Sequence, residues 1–241
     1  MLQVCPNGAR DRSACPNLPV SPAELAAAVR EAVAAGATDV HLHPKAPDGT
    51  DSLAPEHVAA AVTAVRAAVP GTPVGVTTGA WAAPDPRRRV EFIRSWSVLP
   101  DHASVNWHEE GAEEVAEALL ERGVGIEAGI FSGTPAARRF LASPLAGRVL
   151  RVLAEVTDTD PRTAPAAART LLGELGDGLR APILLHAEDG AAWPVLGLAG
   201  ELGLDTRVGL EDVLDLPDGT PAATNADLVR AARALLSAPP R

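Results

Sequence analysis

Two histidines stand one residue apart in the segment VHLHPKAPDG, which covers residues 40–49. Successive side chains of a β-strand point to opposite faces, so His41 and His43 would share one face while Leu42 points to the other. Two imidazoles on one face at the end of a strand can bind a metal ion. They can equally be polar residues at the mouth of a loop, and the doublet alone leaves both interpretations open.

A second group of polar residues lies in TRVGLED, residues 206–212. By the period of two, Arg207, Gly209 and Glu211 share one face of a strand. If that face lines the lumen of a closed barrel, Glu211 reaches the space beside the two histidines. A His–His–Glu set with an open coordination position is typical of catalytic zinc, and it could polarise a carbonyl or activate water. The alternative is a salt-bridge network at a barrel rim.

Asp212 directly follows the candidate ligand and could act as a general base. Arg207 could hold this carboxylate in place or bind a substrate carboxylate through both of its guanidinium N–H groups. Other polar residues also gather at the ends of apolar runs, where a barrel enzyme collects its reactive groups. They are Asn7 and Arg10, Thr77 and Thr78, Asn106 and His108, Glu127, Glu155, His186 and Glu188.

The elements that must position these residues alternate along the chain, as short β-type runs separated by alanine-rich helical stretches. The predicted strands are residues 2–8, 38–44, 73–79, 103–107, 123–130, 148–156, 181–187 and 206–212. The predicted helices are 21–36, 54–71, 111–123, 164–176, 191–203 and 225–236, and the helices after the third and fifth strands are obscured by prolines and arginines. Eight such units predict an α/β fold, a (β/α)8 TIM barrel, with a doubly wound sheet as the alternative.

The composition is consistent with one domain over residues 1–241, with 46% hydrophobic and 3% aromatic residues. A formal net charge of −10 without a basic stripe argues against nucleic acid or an anionic membrane as partner. The two cysteines, Cys5 and Cys15, suggest neither a zinc ribbon nor a disulfide framework. No run of about 18 apolar residues occurs, and we expect a cytoplasmic protein.

The sequence resembles the family of β-keto acid cleavage enzymes, of the 3-keto-5-aminohexanoate cleavage type. The matching segments, in order, are NGAR (7–10), PNLPVSPAELAAAVREAVAAGATDVHLHPKAPDG (16–49), VTTG (76–79), SVNW (104–107), GIEAGIF (125–131), RVGLEDVL (207–214) and TNADLV (224–229). The histidine doublet combined with RVGLED is the specific part of this match, and the other segments are individually weak.

The resemblance implies a TIM-barrel transferase that binds one divalent metal, usually zinc, through His41, His43 and Glu211. Its reaction would convert a β-keto acid and acetyl-CoA into acetoacetate and a new acyl-CoA, with Asp212 as the base oriented by Arg207. The residues expected to bind the substrate are Thr77, Thr78, Gly79, Asn106, Glu127 and Arg10. Barrels of this family associate, so the resemblance also implies a homo-oligomer.

The sequence departs from the family where CoA would bind. The region between GIFSG and RVGLED is short and has no Gly-Gly step, and Arg10 stands where an acid would receive a substrate amine. A zinc hydrolase or aldolase-like carbon–carbon lyase that does not use CoA is therefore the alternative function. A ligand-binding barrel without chemistry is a third, which the retained Asp212 and Arg207 argue against.

Overall fold

The structure is a computed structural model that describes residues 1–176 and 178–237, and in it eight strands alternate with eight helices. The strands are Leu2–Val4 (β1), Asp39–Leu42 (β2), Val74–Val76 (β3), His102–Asn106 (β4), Gly125–Phe131 (β5), Arg151–Val156 (β6), Ile183–Ala187 (β7) and Thr206–Val208 (β8). The helices are Pro22–Ala35 (α1), Pro55–Ala68 (α2), Pro86–Ser95 (α3), Ala112–Glu121 (α4), Ala136–Ala142 (α5), Ala164–Leu175 (α6), Ala192–Glu201 (α7) and Asn225–Leu236 (α8).

The strands form one parallel sheet in the order β8-β1-β2-β3-β4-β5-β6-β7. The two edges meet through a parallel bridge between Leu184 and Asp205, where the backbone N–H of Leu185 donates to the Asp205 carbonyl at 2.9 Å. A sheet that closes in this way is a (β/α)8 barrel, so the predicted TIM barrel is confirmed and the doubly wound sheet is excluded.

Helix α1 begins and ends where its sequence signals predict. Ser21 and Glu24 form a reciprocal capping box, Pro22 occupies the first turn, and Gly36 ends the helix with a φ of 115°. Positive φ is accessible to glycine without the steric cost that a side chain adds, which explains the stop. Prolines and arginines obscured the helix after the third strand in the sequence. The structure shows it as α3, which starts at Pro86. Proline suits this position because a backbone N–H in the first turn would have no intrahelical partner.

The first and eighth strands are shorter than predicted, because β1 ends at Val4 and β8 at Val208. After β8 the chain turns, and the Gly209 carbonyl accepts the N–H groups of Asp212 at 2.9 Å and Val213 at 3.0 Å. Strand alternation was expected to direct Glu211 into the lumen, but Glu211 lies beyond the end of β8, so this reason is wrong. The turn that follows β8 places the Glu211 side chain at the carboxyl end of the barrel instead.

The helices cover the outside of the barrel with alanine, valine and leucine, as the low aromatic content requires. Within the described residues, none of the helices combines the length and the apolar character needed to cross a membrane. The lumen is polar, and buried side chains from seven of the strands fill it beneath the carboxyl-terminal rim. They are Gln3, Asp39, His41, His102, Ser104, Glu127, Arg151, His186 and Arg207.

Candidate metal and active site

The structure brings His41, His43 and Glu211 together at the carboxyl end of the barrel. One ligand-capable atom from each lies within 4.8 Å of the others, and both imidazoles are buried. Nε2 of His43 lies 3.7 Å from Oε2 of Glu211. His41 lies on β2 and His43 directly follows its last residue, and the adjacency of β1, β2 and β8 brings Glu211 close to both.

The second ring nitrogen of His43 faces a carboxylate that the sequence analysis did not single out. Nδ1 of His43 lies 2.8 Å from Oδ2 of Asp51, whose other oxygen pairs with Lys45 at 2.5 Å. The indole N–H of Trp81 also donates to Oδ2 of Asp51, at 2.8 Å, and the Trp81 ring stacks on His43 with 5.8 Å between centroids. These contacts fix the imidazole so that Nε2 points to the candidate site.

Asp51 reaches His43 because the loop after β2 folds back on itself. Lys45 and Asp51 form an antiparallel bridge, and the N–H of Ala46 donates to the Thr50 carbonyl at 2.8 Å. The segment Pro-Asp-Gly at 47–49 is a known turn signature. Read as a hairpin-like turn, it is the one sequence signal that could have placed Asp51 beside the histidines.

The second ring nitrogen of His41 also faces a carboxylate. Nδ1 of His41 lies 3.4 Å from Oε2 of Glu127, which is fully buried beneath the site. Glu127 is not among the residues that line the cavity described below, and its substrate contact stays a prediction from the resemblance. Metal-binding histidines generally direct their other ring N–H to a carboxylate, a carbonyl or water. His43 makes this hydrogen bond to Asp51, whereas Nδ1 of His41 faces Glu127 at 3.4 Å without a hydrogen bond.

The donor set fits a divalent metal of borderline softness. Oε2 of Glu211 is buried and has no hydrogen-bond partner among the described residues, which is costly unless a cation contacts it. The pKa of Glu211 is lowered, since Arg207 and the two histidines outweigh the effect of burial, so the carboxylate is charged. Burial lowers the pKa of His41, which favours the neutral form that metals bind. Two imidazoles and one carboxylate accept zinc and other divalent ions.

A second cluster, Asp39, His102 and Glu127, lies below and has the same geometric spacing. Three of its four carboxylate oxygens are already occupied: Gln3 donates to both acids at 2.8–2.9 Å, and Arg151 donates to Asp39 at 2.8 Å. The fourth, Oε2 of Glu127, faces Nδ1 of His102 at 3.1 Å. Burial lowers the pKa of His102, but the carboxylates of Glu127 and Asp39 outweigh it and raise the pKa to about 10. Two carboxylates thus balance an imidazolium and a guanidinium, and a metal ion here would meet two cations.

Asp212 and Arg207 form the other predicted pair of the site. Nη2 of Arg207 lies 2.8 Å from Oδ1 of Asp212 and 3.0 Å from Oε1 of Glu211, so one guanidinium spans both acids. Burial raises the pKa of Asp212 to about 8, against the opposing effect of Arg207. A carboxylate with a pKa near neutrality is better matched to proton abstraction than one with an ordinary pKa.

Contacts from the segment that follows β1 hold both ligand segments in place. The Asn7 side chain accepts the His43 N–H at 3.0 Å and donates to the His43 carbonyl at 2.8 Å. The N–H of Glu211 donates to the Cys5 carbonyl at 3.2 Å. A Cβ at Gly209 would overlap the Cys5 backbone, so only glycine allows the β8 turn to pack this closely.

The TTG segment after β3 is held by Glu109. Its carboxylate accepts the N–H of Ala80 at 3.0 Å, an N–H of the Asn106 side chain at 2.9 Å and the buried Arg89 at 2.5 Å. The Thr78 hydroxyl donates to the Ser104 carbonyl at 2.6 Å and is therefore engaged. The Thr77 hydroxyl accepts the N–H of Gly79 and keeps its own O–H for a ligand.

A cavity of about 430 Å³ opens above these groups. Of the predicted site residues, His41, His43, Thr77, Asn106, Arg10, Arg207 and Glu211 line it, and Thr78, Gly79, Glu127 and Asp212 do not. The other lining residues include Trp81, Phe131, Leu153 and Asp189, which no sequence pattern singled out, and the predicted strand-end acids Glu155 and Glu188. Arg10 bonds to Asp189 at 2.6 Å and to the Glu211 carbonyl at 2.9 Å.

The fold is similar to two solved structures of ObcA, its binary complex with oxaloacetate (17% identity, TM-score 0.73) and its ternary complex with a C4-CoA adduct and oxalate (17%, 0.74). These matches cover 91% and 92% of this chain but 63% and 64% of those chains, so the chain spans less than two thirds of their length. A type I 3-dehydroquinate dehydratase from Clostridium difficile is also similar, at 12% identity and a TM-score of 0.66, over 98% of this chain and 90% of that one.

A search of curated proteins gave no match. The family model described as beta-keto acid cleavage enzyme matches residues 1–239, nearly the whole sequence. The (β/α)8 barrel agrees with that match. The meeting of the histidine doublet and the RVGLED segment at the carboxyl end of the barrel agrees with it as well. The chain belongs to the β-keto acid cleavage enzyme family.

Proposed function

We propose that the protein is a metal-dependent β-keto acid cleavage enzyme that exchanges acyl groups between a β-keto acid and acetyl-CoA, giving acetoacetate and a new acyl-CoA. The observation that carries the proposal is the position of His41, His43 and Glu211 beside the Asp212–Arg207 pair at one end of the barrel. Family membership supports the substrate class. The CoA adduct in the ObcA complex supports the use of a CoA thioester.

His41, His43 and Glu211 would hold a divalent metal, zinc by preference. The metal would act as a Lewis acid that polarises the β-keto carbonyl and stabilises enolate-like charge. Asp51 and Glu127 would hold the two imidazoles in the orientation that leaves Nε2 free, because each faces an Nδ1 atom.

Asp212 would accept the proton that the reaction releases, and Arg207 would hold its carboxylate through the 2.8 Å contact. The Thr77 hydroxyl, which keeps a free O–H, would donate to the substrate carboxylate. Asn106 and Arg10 would contribute further donors from the cavity wall. The buried position of Asp212 keeps water away from this carboxylate, which strengthens its interactions with the reacting groups.

The metal is tested by measuring the metal content of the purified chain alongside His41→Ala and Glu211→Ala. The expected result is about one zinc per chain, lost in both variants. His57→Ala is a matched control because His57 lies outside the cavity and contacts Ser52. Metal retained by both site variants would overturn the assignment.

The reaction is tested by incubating the metal-saturated chain with a panel of β-keto acids, with and without acetyl-CoA, and detecting acetoacetate and the new thioester by mass spectrometry. The expected result is acetoacetate release that requires acetyl-CoA. Asp212→Asn should lower the rate by about 10²-fold or more, as loss of a general base does. Asp215→Asn, three residues away, is the control. Equal rates for the parent and Asp212→Asn would contradict the proposed base.

The second candidate is a zinc-dependent hydrolase or aldolase-like lyase that does not use CoA. It is favoured by the short segment between β5 and β8, which has no Gly-Gly step, and by the acidic side chains Glu155 and Glu188 on that side of the cavity. In the same assay this candidate predicts cleavage of the β-keto acid at equal rates with and without acetyl-CoA.

A further inference from the structure

His186 is a buried histidine with no assigned role. It lies near the carboxyl end of β7, in the lumen, and is 1% exposed. Neither of its ring nitrogens has a hydrogen-bond partner among the residues that the structure describes. An imidazole buried in this way is costly unless both nitrogens bond to something in the working protein.

The groups nearest to those two nitrogens are carboxylates on opposite sides of the ring. Nε2 of His186 lies 3.5 Å from Oε2 of Glu155, its register partner on β6. Nδ1 lies 3.9 Å from Oδ1 of Asp212, whose other oxygen, Oδ2, lacks a hydrogen-bond partner within the described part of the chain. Catalytic hydrogen bonds are often long in the absence of substrate and shorten when it binds. The three side chains therefore form a row that leads from the cavity wall to the proposed base.

The neighbouring charged groups distinguish the two acids at the ends of this row. Arg207 lies 2.8 Å from Asp212, so the negative charge is favoured on that acid. Among the described residues, Glu155 comes within ion-pairing distance only of His186. Burial raises the pKa of Glu155 and that of Asp212 alike to about 8, so the Arg207 contact, and not burial, distinguishes the two acids. Burial and the charge of Arg207 lower the pKa of His186 well below its ordinary value, which favours the neutral ring.

A neutral imidazole donates from one nitrogen and accepts at the other, and its partners select which. We propose that Glu155, as the neutral acid, donates to Nε2 of His186, and that His186 then donates from Nδ1 to Asp212. His186 and Glu155 are positioning residues: they and Arg207 together fix the orientation of the Asp212 carboxylate. This inference rests on the proposed function for the role of Asp212, but the hydrogen-bond arrangement can be measured without any substrate.

The first test is the tautomer of His186, read from side-chain ¹⁵N chemical shifts of the histidine-labelled full chain. The His186 signals are those missing from His186→Gln. The expected state is neutral with the proton on Nδ1. A positively charged ring, or a proton on Nε2, would overturn the proposal whether or not the protein cleaves a β-keto acid.

Two substitutions at Glu155 separate this role from simple packing. The amide of Glu155→Gln can still donate to Nε2, so the Nδ1–H tautomer should persist. Glu155→Leu cannot donate, and the preference for that tautomer should be lost. Glu188→Gln, a nearby carboxylate that does not contact His186, is the matched control and should leave the tautomer unchanged. The same tautomer in Glu155→Leu as in the parent would also overturn the proposal.

The second test uses any β-keto acid that the parent turns over. His186→Gln should lower kcat by about 10- to 100-fold with little change in KM, because a misplaced base slows the reaction without weakening binding. Glu155→Gln should retain several times the kcat of Glu155→Leu. An increase in KM alone in both Glu155 variants would instead identify Glu155 as a binding group for a cationic part of the substrate. That result would overturn its positioning role.

Discussion

Nδ1 of His43 lies 2.8 Å from Oδ2 of Asp51, and the same carboxylate binds Lys45 and the indole of Trp81. A residue eight positions along the chain therefore sets the orientation of a candidate metal ligand. The pKa of Asp51 is lowered, because His43 and Lys45 outweigh the effect of its burial. A charged carboxylate behind an imidazole makes the ligand nitrogen more basic, which ties metal affinity to Asp51.

Asp51→Asn is expected to weaken metal binding by about tenfold or more, since the amide keeps the hydrogen-bonding oxygen but loses the charge. Competition with a chromophoric chelator would measure the change. Asp48→Asn, in the same loop, contacts Thr50 rather than a histidine and should bind metal like the parent. Equal affinities for Asp51→Asn and Asp48→Asn would show that the contact is structural.

Glu127→Gln should also weaken metal binding by about tenfold or more, because Glu127 faces Nδ1 of His41. The resemblance to the family predicts a different role, contact with the substrate. The two roles separate in kinetics at saturating metal: a contact through His41 leaves KM nearly unchanged, whereas loss of a substrate contact raises it. Metal affinity equal to that of the parent together with a raised KM would support the role taken from the family.

The barrel and the histidine pair were predictable because their signals are local. The period of two placed His41 and His43 on one face, and the alternation of strands and helices predicted the closed sheet that brings β8 beside β1. Asp51 was missed because its contact depends on a loop that folds back, and the Pro-Asp-Gly turn was not used.

Glu211 shows a different limit of the sequence. It was assigned to the lumen by strand alternation, yet β8 ends at Val208 and a turn presents the side chain. The tight packing of that turn against Cys5 depends on tertiary contacts that a periodicity argument does not contain. The pairing of His186 with Glu155 likewise follows from the register between β6 and β7, which the sequence pattern alone does not fix.

His102 should make stability depend on pH. Its pKa is about 10 in the folded protein, against about 6.5 for an unperturbed histidine, so the folded state binds the proton more tightly. This stabilisation is fully present below about pH 6.5 and is lost as the pH rises toward 10. The groups that face His102 are Asp39 and Glu127, with Arg151 and His41 beyond them.

His102→Gln is expected to lower the free energy of unfolding by about 3–5 kcal/mol near neutral pH, as removing one partner of a buried charge pair does. It should also remove most of the decline between pH 6.5 and 10. Denaturant titrations in the presence of EDTA would measure both effects without a contribution from bound metal. His57→Gln, on helix α2 near the surface, should keep the decline. A decline as steep in His102→Gln as in the parent would mean that another group titrates.

Gly209→Ala tests whether the turn after β8 sets the position of Glu211. The added methyl group would overlap the backbone of Cys5, which cannot move away as a flexible side chain could. We expect a loss of about 1–3 kcal/mol in the free energy of unfolding, the usual effect of overpacking, together with weaker metal binding because Glu211 shifts.

Gly173→Ala is the matched control: a Cβ there meets nothing within 4 Å and the residue lies in helix α6, so alanine should stabilise the protein by about 0.5–1 kcal/mol. Thermal melts and chelator competition on both variants give the two readouts. If Gly209→Ala lost stability but bound metal as tightly as the parent, the turn would not determine the position of Glu211.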